Sequence, residues 1–253
     1  MSAADRPTFA PGLFQDRVVL VTGGTGGIGL ACAEAFQRLG AAVIATGAMD
    51  VEVERARARA SAIDRGIRFE RLDVRDRAAI QALVSGAPRL DVIVNAAGII
   101  RRDDEHDPDV FANVVAINLT GTMEVCTAAR PKLRESAGSV VNLASMLTFF
   151  GAPRAPAYSA SKGGIGQLTK SLAAAWAADG IRVNAVAPGW IATPLTHALQ
   201  DDPERSRPIL SRTPMGRWGS PEEVADGVVF LASPAARFVT GAILAIDGGY
   251  LTV

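Results

Sequence analysis

The stretch Val18-Val19-Leu20-Val21-Thr22-Gly23-Gly24-Thr25-Gly26-Gly27-Ile28-Gly29 decides how this chain is read. An unbroken apolar, largely β-branched run suits a strand covered on both faces. It stops in a glycine cluster, after which Ile28 to Leu39 reads as a helix ended by Gly40. A strand that turns through glycines into a helix is suited to a pyrophosphate. Glycines let the backbone approach closely, and the helix N-terminus offers N–H donors and positive potential. Gly24, Gly26 and Gly29 fit the general dinucleotide spacing, while Gly23, Gly27 and Gly29 fit a second register, Thr-Gly-x-x-x-Gly-x-Gly.

The alternation continues outward from this turn. Strands are predicted at Ala42–Ala45, Phe69–Leu72, Val92–Val94, Ser139–Leu143, Arg182–Val186 and Ala242–Ile246. Helices are predicted at 51–65, 76–85, 108–135, 157–179 and 221–232. Strands that keep alternating with helices imply an α/β fold, a doubly wound parallel sheet of Rossmann type with helices on both faces. No repeat or linker divides residues 1–253, so one domain is expected. Residues 1–15 read as a loose arm. The proline-rich stretch at about 188–218 breaks the rhythm and is expected to be a lid.

Composition narrows the function. The 253 residues carry 26 Lys+Arg against 26 Asp+Glu, so no global charge favours nucleic acid or an anionic membrane. No apolar run reaches membrane-spanning length and the N-terminus has no apolar signal core, so a cytoplasmic protein is expected. Cys32 and Cys126 read as buried small hydrophobes. With His only at 106 and 197, no metal site is expected.

Only three of the basic residues are Lys, and one of them, Lys162, follows Tyr158 by four positions in Tyr-Ser-Ala-Ser-Lys. On a helix the two share a face. An ordinary phenol is a poor base at neutral pH, and a neighbouring ammonium favours the phenolate. Ser145 lies thirteen residues upstream, at the end of a predicted strand.

With these residues in place, the chain from residue 14 onward resembles the short-chain dehydrogenase/reductase family. The resemblance rests on Thr22-Gly23…Gly27-Ile28-Gly29, Leu72-Asp73-Val74, Asn95-Ala96-Ala97-Gly98, Asn118, Ser145, Tyr158/Lys162 and Pro188-Gly189. It implies an NAD(P)-dependent enzyme that moves a hydride between a nicotinamide and a secondary alcohol or ketone. Tyr158 would exchange a proton with the substrate oxygen, and Ser145 would orient that oxygen. Lys162 would hold the nicotinamide ribose and depress the Tyr158 pKa, and Asn118 would keep a water in the proton relay. Gly23, Thr25, Gly27, Ile28, Gly29, Asp73, Val74, Asn95, Ala97, Gly98, Pro188, Gly189, Ile191 and Thr193 would border the cofactor, with Asp73 at the adenine and Thr193 at the carboxamide. Ala96 departs from the second Asn of many relatives. A homotetramer is also implied.

The cofactor form is read at the end of the second strand, Thr46-Gly47-Ala48-Met49-Asp50. NAD users in the family usually carry Asp where Gly47 stands, and NADP users often carry Arg where Ala48 stands. Both are missing, and the lack of a cation for a 2′-phosphate favours NAD over NADP.

Three stretches resemble the 2-dehydro-3-deoxy-D-gluconate 5-dehydrogenase group: Gly98–Arg102, Ala144–Phe149 with Arg154, and Met215–Gly219. A sugar acid or related polyol is therefore the expected substrate. Arg154, and after it Arg102, are candidates for its carboxylate. His197 on the lid is a further substrate candidate. The rivals are a 3-oxoacyl-carrier-protein reductase using NADPH, with Arg130 and Lys132 as a docking patch, and a non-catalytic binding protein on the same scaffold.

Overall fold

The computed structural model describes residues 8–63 and 66–253. The start of the expected N-terminal arm (1–7) and the end of the second predicted helix (64–65) lie outside the described residues. Seven strands form one parallel sheet: β1 Val18–Thr22, β2 Ala42–Gly47, β3 Ile67–Arg71, β4 Val92–Asn95, β5 Ser139–Leu143, β6 Arg182–Pro188 and β7 Ile243–Ile246. Their spatial order is β3-β2-β1-β4-β5-β6-β7. The chain thus winds outward from β1 to β3, returns to pair β4 with β1, and then winds the other way. That reversal between β1 and β4 opens a crevice at the carboxyl ends of the strands, where ligands of such sheets bind.

The helices are α1 Gly27–Arg38, α2 Asp50–Ile63, α3 Arg77–Gly86, α4 Pro108–Val115, α5 Gly121–Ser136, α6 Pro156–Trp176, α7 His197–Gln200, α8 Pro203–Arg212 and α9 Pro221–Ala232. On one face, Phe36, Ala33 and Cys32 of α1 and Val224, Val228 and Leu231 of α9 pack on Val19, Val21, Val94 and Val141. On the other, Ile80, Cys126, Leu133, Leu172 and Trp176 cover Leu20, Ile93, Val140 and Val183. The central strands are buried on both faces, which is why they read as apolar runs without alternation. Both cysteines are fully buried free thiols whose pKa burial pushes up to about 12.

The described part of the arm is not loose. Phe9 packs against the core, and Phe14 is buried edge-on against Phe36. The predicted helix at 108–135 spans Pro108 to Ser136 but contains a π-helical turn, Ala116–Thr120, between α4 and α5. By length and composition alone this helix could cross a membrane, yet Val125, Cys126, Ala129 and Leu133 lie in the core. The stretch at 188–218 is more ordered than a proline-rich loop suggests. Asp202 caps α8 by accepting from the amides of Glu204 and Arg205, and Pro203 takes the first helical position.

Candidate active site

The glycine loop sits in the crevice. Gly23 has φ +66°, and a Cβ there would come within 2.7 Å of the Ala97 backbone. A Cβ on Gly29 would come within 2.1 Å of the Gly23 carbonyl oxygen. These two glycines therefore let β1, the post-β4 loop and the start of α1 meet. Gly26 instead borders open space, and Gly27 (φ +52°) faces only Thr193 of the lid, 3.7 Å from a built Cβ. Space over the start of a helix that no residue of the loop fills is what a pyrophosphate requires. The residues present thus fit a dinucleotide.

The remaining cofactor candidates divide. Ala97, Gly98, Gly189 and Thr193 gather around the crevice; Gly189 is needed because a Cβ would lie 2.7 Å from Asp247 Cα. Pro188 ends β6 beside it. Thr25 rests against Gly47, where a Cβ would lie 2.7 Å from its hydroxyl. The Asp73 carboxylate is half-exposed at the edge and gripped by Arg75, whose hydrogen bonds hold it below the ordinary carboxylate range. Four candidates turn inward. Ile28 packs on the core and Val74 is buried against Gly121. Asn95 donates to Asn142 Oδ1 (2.9 Å), and Asn142 donates to Thr169 Oγ1 (3.0 Å), a polar thread from β4 through β5 to α6. Ile191 is buried and bridges to Gly219.

The catalytic candidates converge from three elements. Ser145 follows β5 and caps a short 3₁₀ turn. Thr148 of that turn accepts from Ser145 N (3.3 Å) and donates to the Lys162 carbonyl (2.9 Å), tying the serine loop to α6. Tyr158 and Lys162 occupy one face of α6, with Lys162 Nζ 5.5 Å from the phenol ring centre. Asn118 lies in the π-helical turn, a distortion common at functional sites. Its amide both donates to and accepts from the Ile99 backbone (2.9 and 2.8 Å) and donates to Ser161 Oγ (3.1 Å). A Cβ on Gly98 would lie 3.3 Å from Asn118 Oδ1 and 3.8 Å from Lys162 Nζ, so this glycine lets the two side chains share one corner.

The electrostatics differ from the expectation. Burial raises the Tyr158 pKa above that of an ordinary phenol, and the opposing pull comes from the Ser145 hydroxyl and the Arg102 guanidinium. Lys162 stands over the ring of Tyr158, 5.5 Å from its centre. Its ammonium donates to the Leu143 carbonyl (2.5 Å), and burial lowers its own pKa to about 8.

The substrate candidates separate clearly. Arg154 is exposed and already paired with Asp103 through two hydrogen bonds, with Nε to Oδ1 at 2.7 Å. Asp103, at φ +73°, returns its amide to the Arg154 carbonyl (2.8 Å), so the pair clasps the post-β4 and post-β5 loops. Arg102 is half-buried near Tyr158, and its guanidinium has no hydrogen-bond or ion-pair partner among the described residues. His197 is exposed at the start of α7 and contacts Asp201 at 2.6 Å. Sequence reasoning missed Glu105. Its buried carboxylate accepts from the amides of Arg101 (2.7 Å) and Tyr158 (2.8 Å). A cavity of about 320 Å³ lies elsewhere, lined by Trp190, Met215, Arg217, Glu223 and Asp247, and holds none of the catalytic candidates.

The family described as enoyl-(acyl carrier protein) reductase matches residues 23–251. The chain is a short-chain dehydrogenase/reductase. It is 39% identical over 250 residues to a 2-dehydro-3-deoxy-D-gluconate 5-dehydrogenase of Pseudoalteromonas atlantica, covering 94% of this chain and 96% of that one. It is 42% identical over 236 residues to a galactitol 2-dehydrogenase (L-tagatose-forming) of Cereibacter sphaeroides, covering 91% and 93%. A solved gluconate 5-dehydrogenase of Burkholderia cenocepacia, in complex with NADP and tartrate, superposes with a TM-score of 0.88 at 32% identity, covering 94% and 96%. This chain is accordingly a nicotinamide-dependent oxidoreductase acting on an alcohol or its ketone.

Proposed function

We propose that this dehydrogenase acts on a secondary hydroxyl, or the matching ketone, of a small sugar acid. The observation that carries this reading is the half-buried Arg102 guanidinium beside Tyr158, unpaired among the described residues. A desolvated cation favours an anionic partner, and guanidinium meets carboxylate in a two-pronged geometry. 2-Dehydro-3-deoxy-D-gluconate and gluconate, the substrates in the names of its relatives, carry such a carboxylate, and the solved relative holds tartrate.

The residues then divide the work. Arg102 anchors the carboxylate, and Ser145 donates to the reacting oxygen and aligns it. Tyr158 removes the hydroxyl proton during oxidation and returns it during reduction. Lys162 and Asn118 flank the way out for that proton, and the relay water belongs in their corner over Gly98. The dinucleotide would lie along Gly23–Gly29, Ala97–Gly98 and Pro188–Thr193, where it supplies the hydride chemistry. The solved relative binds NADP. The preference for NAD read from the sequence rested on a missing cation near Gly47 and Ala48, and the fold puts Arg71 there.

A carrier-protein substrate fits less well. Arg130 is held by Asp179 (3.0 and 2.7 Å), and Lys132 donates to the Ser85 and Ala87 carbonyls, so neither presents a free docking charge. We place the enzyme in the cytoplasm as a homotetramer, and light scattering giving a monomer's 26 kDa would reject the assembly.

Initial rates followed at the nicotinamide absorbance, with sugar acids set beside neutral polyols of equal length, test the substrate. The acids should show the higher kcat/KM. Turnover of neutral polyols alone would reject the carboxylate reading.

A further inference from the structure

We propose that Arg71 is the anchor for the 2′-phosphate of NADP, and that Asp50 opposes it, so that this pair sets the choice between the two dinucleotides. The inference rests on the reading of the glycine loop as the dinucleotide cradle. Arg71 is the last residue of β3 and pairs in register with Gly47, the last residue of β2. Both strands end on the edge that carries the glycine loop. The Arg71 side chain folds over the turn that follows β2, with Nε donating to the Ala48 carbonyl at 3.3 Å. Its guanidinium also stands 3.4 Å from the Asp50 carboxylate.

Small residues line the place between Arg71 and the glycine loop. Gly47 has no side chain, and Ala48 contributes only a methyl. Thr25 of the glycine loop lies flush against Gly47, 2.7 Å from a built Cβ. The loop, Gly47 and the turn Ala48–Asp50 therefore form one continuous rim, with Arg71 at its far end. In sheets of this class the adenine ribose lies across the end of the second strand, where an acid receives the 2′-hydroxyl and an Arg receives a 2′-phosphate. Here the acid is absent from position 47, and a cation reaches the place from the neighbouring strand.

Asp50 is the existing partner of that cation, but a weak one. The contact is a single long approach between side chains that are 64% and 76% exposed. A phosphate dianion offers more charge and two oxygens to the guanidinium plane, and displaces a solvent-exposed carboxylate from it. NAD, with only a 2′-hydroxyl, has no such advantage. Asp50 would accept from that hydroxyl and at the same time repel the phosphate. Removing Asp50 should then favour NADP, and removing Arg71 should disfavour it.

The test measures binding without substrate, through the fluorescence of NADPH and NADH titrated with the full-length protein. Wild type should bind NADPH at least about tenfold more tightly than NADH, with an NADPH affinity that falls more steeply as salt is raised. Arg71→Gln should weaken NADPH by about ten- to a hundredfold and leave NADH within about twofold, since it removes one charge-assisted contact. Arg71→Lys should fall between, and Asp50→Asn should tighten NADPH. Thermal unfolding of each variant checks that the fold is kept. Equal effects of Arg71→Gln on both dinucleotides, or a wild type that prefers NADH, would overturn the assignment. If neither dinucleotide binds wild type, the cradle reading falls first and takes this one with it.

Discussion

Glu105 holds the amide of Tyr158 at 2.8 Å from inside the protein, while its other carboxylate oxygen holds the amide of Arg101 at 2.7 Å. Tyr158 lies in the first turn of α6, whose amides have no partner within the helix. A carboxylate there also meets the positive end of the helix dipole. One buried side chain thus fixes the general acid–base residue and the loop that carries Arg102 relative to each other.

Glu105→Gln should therefore do more than lower stability. An amide has one accepting oxygen, and its NH₂ would face a backbone donor, so one buried bond is lost at a cost of about 2 kcal/mol. The Glu105 charge also raises the Tyr158 pKa. Its removal should shift the alkaline rise of the oxidation rate to lower pH, and should raise KM for an acid substrate as Arg102 loses its support. A loss of stability with an unmoved pH profile would make Glu105 a purely structural residue.

Tyr158→Phe should keep the fold and dinucleotide binding while lowering kcat by orders of magnitude, because the proton has no other short path. In wild type, oxidation needs the phenolate and reduction needs the phenol. Since burial holds the Tyr158 pKa above its ordinary value, kcat/KM should keep rising into alkaline pH for oxidation and should fall over the same range for reduction. Stopped-flow or steady-state pH profiles in both directions check this. Near-wild-type turnover in the Phe variant would remove Tyr158 from the mechanism.

Arg102 and Arg154 should behave oppositely. Arg102→Ala removes the free, half-buried cation and should raise KM for an acid substrate by about ten- to a hundredfold, with a neutral polyol nearly indifferent. Arg154→Ala breaks an exposed pair with Asp103 and should leave KM within about twofold. Equal losses on both substrate types in the Arg102 variant would show a structural residue. A large KM effect confined to Arg154 would return the carboxylate to that side chain.

What was legible in the sequence is what local pattern controls. The strands announce themselves because both their faces are covered, and the glycine loop because close backbone approach admits no side chain. Residues that act through pairing across the fold were not legible. Glu105 sits in Asp103-Asp104-Glu105-His106-Asp107, which reads as a solvated acidic run, and only the packing of two loops shows it buried. Arg71 was read inside a strand that in fact ends there, and its partner in register, Gly47, is 24 positions away. Arg154 looked free because nothing local shows that Asp103 lies across the site. Helix α8 did carry a signal, the Asp202-Pro203 cap, but Pro208 within it obscured the pattern.

Lys162→Met offers a test of the site's energetics that needs no substrate. Lys162 is fully buried, and burial lowers its pKa from 10.5 to about 8. The sign follows from proton counting. Between those two values the unfolded chain holds a proton that the folded chain has released, so wild-type stability rises with pH across this window. Below about pH 8 both states are protonated, and the penalty for burying the ammonium is fully present, about 3 kcal/mol by that shift. Methionine has similar length and no charge, so it relieves the penalty but leaves the Leu143 carbonyl without its donor, a cost of about 1 kcal/mol. The dinucleotide-free Met variant should then be more stable than wild type by about 2 kcal/mol at pH 7, and the gap should close and reverse towards pH 10. Urea unfolding at pH 7, 8.5 and 10, at one fixed protein concentration, reads this directly. The same variant should lose most of its turnover, which would show that this buried cation is kept for the reaction at the expense of the fold. A wild type that is the more stable at pH 7, with a gap that does not change with pH, would mean that the ammonium is well accommodated and that its position beside Tyr158 carries no strain.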